Sequence, residues 1–169
     1  MDPEAYEETV LAARDRYLRE NDLSTAEYTA ARFRIRVGSW TLRLPNPPQR
    51  QAIVARHDLH HVATGLRTDW QGEMEISAWE IGAGLGGLWI AWLICVPFFL
   101  AGLIVSPRRV IRAYRAGRHC RSLFVDRTPY EALLVLTVRK LRSQVGLPPE
   151  GLHPAAFYVG PAVKPRRSV

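Results

Sequence analysis

Arg56-His57-Asp58-Leu59-His60-His61, then Thr64-Gly65, then Thr68-Asp69-Trp70-Gln71-Gly72-Glu73, reads as two helices and the turn between them. On a helix each residue advances about 100°, so with His57 at zero His61 falls at about 40° and Asp58 at about 100°. All three project from one side within about one turn. His60 points about 60° the other way, as a surface residue or one that supports a ligand from behind. Gly65 suits the left-handed position that ends a helix. Thr68 and Gln71 have capping-box spacing for the start of the next, and Asp69 suits a helix start better than a ligand role. A tight turn would bring Glu73, early in the second helix, back over the His57/His61 face.

Neutral imidazoles and carboxylates together are ligands for a borderline divalent ion such as zinc or iron. His57, Asp58, His61 and Glu73 are the candidate ligands. The competing reading is a histidine-rich helix whose aspartate only forms a salt bridge. Glu80 lies seven residues beyond Glu73, on the same helix face, and is a candidate catalytic acid or base placed behind the ligands, or else a surface carboxylate.

The pattern His-Asp-x-x-His, eleven residues, then Glu resembles the signature of the coenzyme Q biosynthesis protein 4 family, with no departure in spacing. Thr64-Gly65, Thr68-Asp69, Gly72-Glu73 and Trp79-Glu80 resemble its flanks. Ala116-Gly117-Arg118, Leu123 and Leu141-Arg142-Ser143-Gln144-Val145-Gly146-Leu147 resemble its C-terminal segment. The resemblance runs from about Leu42 to Pro149. It implies a peripheral membrane protein at the cytoplasmic face that acts late in ubiquinone synthesis. The implied reaction is metal-dependent oxidative decarboxylation of a polyprenylated 4-hydroxybenzoate, the ring carboxylate being replaced by a hydroxyl. The implied cofactor is zinc, or iron if the ion is redox-active. The implied partners are a polyprenylated aromatic substrate, an anionic membrane surface and other ubiquinone-synthesis enzymes, with homodimerisation left open. A non-catalytic lipid- or quinone-binding scaffold with a structural metal is the alternative, and a metal-dependent hydrolase a further rival.

Around this centre the chain reads as one all-α domain of six or seven helices over 1–147, among them a long apolar helix or helical hairpin, with a proline-rich, mobile tail over 148–169. Its 169 residues suffice for one core. Cys95 and Cys120 form no repeating pattern, which speaks for a reducing compartment. Asp2, Glu4, Glu7 and Glu8 make the start too acidic for a secretory signal or transit peptide. Helical spacing covers about Pro3 to Arg19. Ser24 and Glu27 form a capping box for a helix to about Val37, stopped by Gly38. Trp40 to Leu44 alternates apolar and polar residues but is short for a strand. Asn46-Pro47-Pro48 sets up the histidine helix, spanning about Pro48 to Thr64.

Ile81 to Pro107 holds no charged residue over 27 positions. Length permits a spanning helix, but four glycines at its start and Pro97 within favour a buried or interfacial hairpin. By the resemblance such a segment shelters a lipid tail, with Trp89, Trp92, Phe98 and Phe99 as its contacts. Arg108 to Arg118 reads as a basic amphipathic helix, with Arg108, Arg109, Arg112 and Arg115 on one arc for an anionic membrane surface. Arg108 to Arg142 carries ten Lys or Arg against Asp126 and Glu131, essentially all of the chain's net charge of +7. No base-stacking or groove-reading motif accompanies it, so nucleic acid is not expected as a partner. Thr128-Pro129-Tyr130-Glu131 opens a helix expected to run to Val145, where Gly146 stops it.

Overall fold

A computed structural model describes residues 7–37 and 40–152 of the chain, and the side chains of these except residues 27, 34–37 and 40. The expected helix residues before Glu7, the stop at Gly38 and the tail beyond Leu152 lie outside the described residues. The elements in chain order are α1 (Val10–Glu20), α2 (Ala26–Thr29), β1 (Arg32–Val37), β2 (Trp40–Pro45), α3 (Pro48–Thr64), α4 (Trp70–Ala83), α5 (Trp89–Val105), α6 (Pro107–Gly117), α7 (Tyr130–Leu134) and α8 (Val138–Val145). The described residues are mostly helical, with one two-stranded antiparallel sheet, β1–β2, among them.

The histidine helix α3 has the bounds read from its sequence. Pro48 sits in its first turn, and Gly65 closes it at φ 76°, where its N–H donates to the His61 carbonyl. A residue with a Cβ would be strained there. The Asp69 carboxylate accepts the Gly72 N–H at 2.8 Å and caps α4. The cap is therefore Asp69 rather than Thr68, whose hydroxyl goes instead to Asn21.

α4 is the central element, packed on α5 and α6. It is buried nearly all round, through Met74, Glu75, Ile76, Ser77, Ala78, Trp79 and Glu80, as a helix without a distinct polar face must be. Two glycines set the α4–α6 distance. A Cβ on Gly82 would stand 2.4 Å from the Tyr114 carbonyl oxygen, and one on Gly117 2.2 Å from that of Trp79. The backbones thus touch where only hydrogen fits. The core joins α1, α3, α4, α6, α7 and α8 through Val10, Leu59, Trp79, Val110, Leu133 and Leu141.

Three expectations are corrected. The helix expected to reach Val37 is the single turn α2 followed by β1. Arg-Phe-Arg-Ile-Arg-Val alternates with period two, and that period outweighs the upstream capping signal. Correspondingly, the alternating segment from Trp40 is a strand. The helix expected over Tyr130–Val145 breaks at Val135–Thr137. There the Leu136 carbonyl accepts the Val10 N–H at 2.8 Å, the Val138 N–H donates to the Glu8 carbonyl at 2.9 Å, and the Thr137 hydroxyl caps α8. Pairing with the N-terminal segment takes groups a continuous helix would use.

The third correction concerns the uncharged run. Gly84 (φ 102°) and Gly86 (φ 58°) turn the chain between α4 and α5, so the run is split. The remaining apolar helix, α5, has 17 residues and contains Pro97. At 1.5 Å per residue it is about 26 Å long, short of a bilayer core of about 30 Å. No helix among the described residues is long and apolar enough to cross a membrane.

Candidate metal centre

α3 and α4 lie against each other so that each imidazole of α3 meets a carboxylate of α4. His57 spans the two acids. Its Nδ1–H donates to Glu80 Oε1 at 2.8 Å, and its Nε2 faces Glu73 Oε2 at 3.3 Å. His61 donates from Nδ1 to the Leu66 carbonyl at 3.0 Å, leaving Nε2 3.4 Å from Glu73 Oε1. The two Nε2 atoms are 3.2 Å apart. His57, His61 and Glu73 thus form a cluster that could hold a metal ion.

The donor set fits such an ion. Ligand atoms about 2.0–2.1 Å from a tetrahedral zinc stand about 3.4 Å from one another, close to the observed separations. Two imidazole lone pairs so near each other repel unless a cation or proton lies between them. The same field acts on His57, where burial alone would lower the pKa. The Glu80 charge and the hydrogen bonds to Glu73 and Glu80 outweigh it and raise the pKa well above 6.5. For Glu73, burial is opposed by hydrogen bonds from His57 and His61, which hold its carboxyl down to about 2.

Asp58 does not join the cluster. Its carboxylate accepts the Tyr28 hydroxyl from α2, and burial pushes its pKa up. Its place on the wheel brings it to the cavity wall, but Tyr28 occupies it. That leaves three protein donors beside an open space of about 390 Å³, lined by Tyr17, His57, Asp58, Thr68, Glu73 and the α1-end residues Glu20 to Leu23. Four of these are carboxylates and none is Lys or Arg.

Glu80, the candidate catalytic acid, is fully buried. Besides His57, it accepts His60 Nδ1–H at 2.7 Å on Oε1 and the Cys95 thiol at 3.1 Å on Oε2. It backs His57 rather than facing the cavity. His60 is likewise fully buried, not a surface residue. It lies edge-on to Trp79 and Phe124, with ring centroids 5.1 and 4.7 Å away, and burial lowers its pKa. Of the two roles open to His60, the surface one is excluded because α4 and the segment after α6 cover that side of α3, and its bond to Glu80 behind His57 agrees with the supporting one.

Three contributors were not singled out as site residues. Tyr17 stacks on His61, with centroids 5.5 Å apart at 21°, and lines the cavity. Tyr28 holds Asp58. Cys95, on α5, donates its thiol to Glu80. Nothing in local spacing marks them, since α1, α2 and α5 reach the centre through tertiary packing.

The expected lipid contacts lie elsewhere. Trp89 and Trp92 are 63% and 48% exposed. Phe98 is half-buried, stacked on Trp70 at 5.8 Å, and Phe99 packs toward Tyr114 at 5.9 Å. None of the four lines the cavity beside the histidines. Of the expected membrane-facing arginines, Arg108, Arg112 and Arg115 are exposed. Arg109 is turned inward, where it pairs with the buried Glu75 and donates to Gln71 Oε1 at 2.9 Å.

Comparison with known proteins adds no assignment: no family model, no curated protein and no solved structure matches the chain.

Proposed function

We propose that the chain holds a divalent ion on His57, His61 and Glu73 and catalyses a late step of ubiquinone synthesis, as its resemblance to the coenzyme Q biosynthesis protein 4 family implies. The reaction is oxidative decarboxylation of a polyprenylated 4-hydroxybenzoate. The ring–carboxylate bond breaks, carbon dioxide leaves, and an oxygen atom from an external oxidant becomes the ring hydroxyl. The observation that carries this reading is the three-donor cluster beside a cavity. Three protein ligands with room for another suit catalysis, whereas closed four-ligand sites suit structure. The ion, zinc or iron, would supply charge to bind and polarise the substrate's oxygens, or redox chemistry if it is iron.

The chain's own residues do the rest. The Leu66 carbonyl and Glu80 fix the rings of His61 and His57, and Tyr17 covers His61 from the α1 side. Asp58, held by Tyr28, keeps a polar wall without becoming a fourth ligand. The carboxylates around the cavity repel a free anion, so a substrate carboxylate depends on the ion's charge to enter. Membrane association belongs to the same proposal, with the outer face of α5 and Arg108, Arg112 and Arg115 at an anionic surface.

One observation favours the scaffold alternative. The exposed tryptophans of α5 do not border the cavity, so lipid binding and the metal cluster are separable. Anaerobic purification with metal analysis, then incubation with a prenylated hydroxybenzoate and mass spectrometry, tests between them. The expected product has lost the carboxylate and gained a hydroxyl, and Glu73→Gln should lower its formation by orders of magnitude with the helical circular-dichroism signal intact. Metal-loaded protein that leaves the substrate unchanged under oxidant would overturn the enzymatic reading.

A further inference from the structure

The hydrogen bonds behind the cluster settle the imidazole tautomers without any hydrogen being seen. The Leu123 N–H, which can only donate, points at His60 Nε2 at 2.8 Å. His60 therefore carries its proton on Nδ1 and donates it to Glu80 Oε1 at 2.7 Å. The Leu66 carbonyl, which can only accept, takes the proton of His61 Nδ1. Glu80 meets three hydrogen-bonding groups, the His57 and His60 rings on Oε1 and the Cys95 thiol on Oε2, and has no exposed surface. An ionised carboxylate is the species that accepts from all three. His57 then donates through Nδ1, which leaves Nε2, 3.2 Å from His61 Nε2 and 3.3 Å from the Glu73 carboxylate, as the nitrogen that would meet an ion.

On this basis we infer that Glu80 is the positioning residue of the metal centre: from behind His57 it sets that ring's orientation and tautomer and strengthens it as a ligand, while His60 and Cys95 hold Glu80 itself in place. A carboxylate on the far nitrogen of a metal-bound imidazole fixes the ring and raises its basicity, and losing such a partner commonly weakens metal affinity by about 10- to 100-fold. His60 thereby has a task although it touches no ion. Cys95 ties the apolar helix α5 to the same carboxylate. The inference rests on the metal-binding reading above.

The test uses the full chain, stripped of metal and titrated with Zn²⁺ and separately with Co²⁺. In Glu80→Gln the amide oxygen can still accept from both imidazoles, so shape is kept and charge is lost. In Glu80→Ala both are lost. Zn²⁺ affinity should fall by about tenfold in Glu80→Gln and about 100-fold in Glu80→Ala. The visible Co²⁺ bands of saturated Glu80→Gln should shift from those of the wild type, which a residue serving only the fold would not cause. Helical circular dichroism checks that the variants are folded, and if Glu80→Ala does not fold, Glu80→Gln carries the test alone. Wild-type affinity and unshifted Co²⁺ bands in folded Glu80→Gln would overturn the inference while leaving metal binding intact. A wild type that binds neither ion would overturn the metal-binding reading and this inference with it.

Discussion

The two faces of α4 show opposite ways of handling charge. Toward α3, four imidazole–carboxylate pairings form, two on Glu80 behind the cluster and two on Glu73, where the donors are aimed at a common centre. Toward α6, Glu75 and Arg109 meet as a closed pair, with Gln71 completing the contact. Beyond that pair lies the outer surface of α5 and α6, where large apolar side chains stand in the open: Leu93 is 65%, Ile104 84% and Val105 66% exposed. An open donor set suits ligand binding and a closed pair suits anchoring. A contiguous apolar helix face beside exposed arginines suits an interface.

The closed pair offers the largest expected effect. Arg109→Met leaves Glu75 buried without its partner, which should cost about 3–5 kcal/mol in denaturant unfolding. Arg108→Met, one residue away and exposed, should stay within about 0.5 kcal/mol. Equal effects would erase the distinction between the inner and outer sides of α6.

The open set should show itself through pH in metal-free protein. Glu73 has a folded pKa of about 2, below its ordinary 4.5, so its stabilisation is present above 4.5 and lost as pH falls toward 2. His57 has a raised folded pKa, so its share is present below 6.5 and lost as pH rises through that higher value. For this pair, stability is therefore greatest between about pH 4.5 and 6.5. Denaturant melts across pH should show that maximum in the wild type and flatten it in Glu73→Gln. Parallel profiles would mean that the pair is not coupled as drawn.

A smaller effect is expected at the outer surface. Each basic residue at an anionic membrane contributes about 1 kcal/mol. Arg108→Gln with Arg115→Gln should therefore weaken binding to anionic vesicles roughly 30-fold, with little change in unfolding free energy. Vesicle flotation and denaturant melts measure the two. Wild-type protein that ignores anionic vesicles would remove the membrane from the proposal.

These regions also differ in how far they could be read from sequence. α3 was legible to the residue because its signals are local: Pro48 in the first turn, a 3.6-residue pattern, Gly65 at the end. The convergence of Glu73 on His57 and His61 was legible for the same reason, since a five-residue turn, 65–69, joins the two helices. The wheel could not show what covers the other side of α3. His60 and Glu80 took their roles from Leu123 and Cys95, which are distant in sequence. Asp58 shared the right arc, but Tyr28, thirty residues upstream, claims it. Arg109 sat on the same basic arc as Arg108 and Arg112, and only the packing of α6 on α4 turned it inward. The break at Thr137 likewise depends on backbone partners at Glu8 and Val10.

Zinc titration of metal-stripped protein against a chromophoric chelator tests the central claim most directly. The wild type and Asp58→Asn should each bind one ion per chain, while His57→Ala and His61→Ala fall well below one with their helical signal retained. A wild type that takes up no ion, or an Asp58→Asn variant that loses it as completely as His57→Ala, would contradict the three-donor centre.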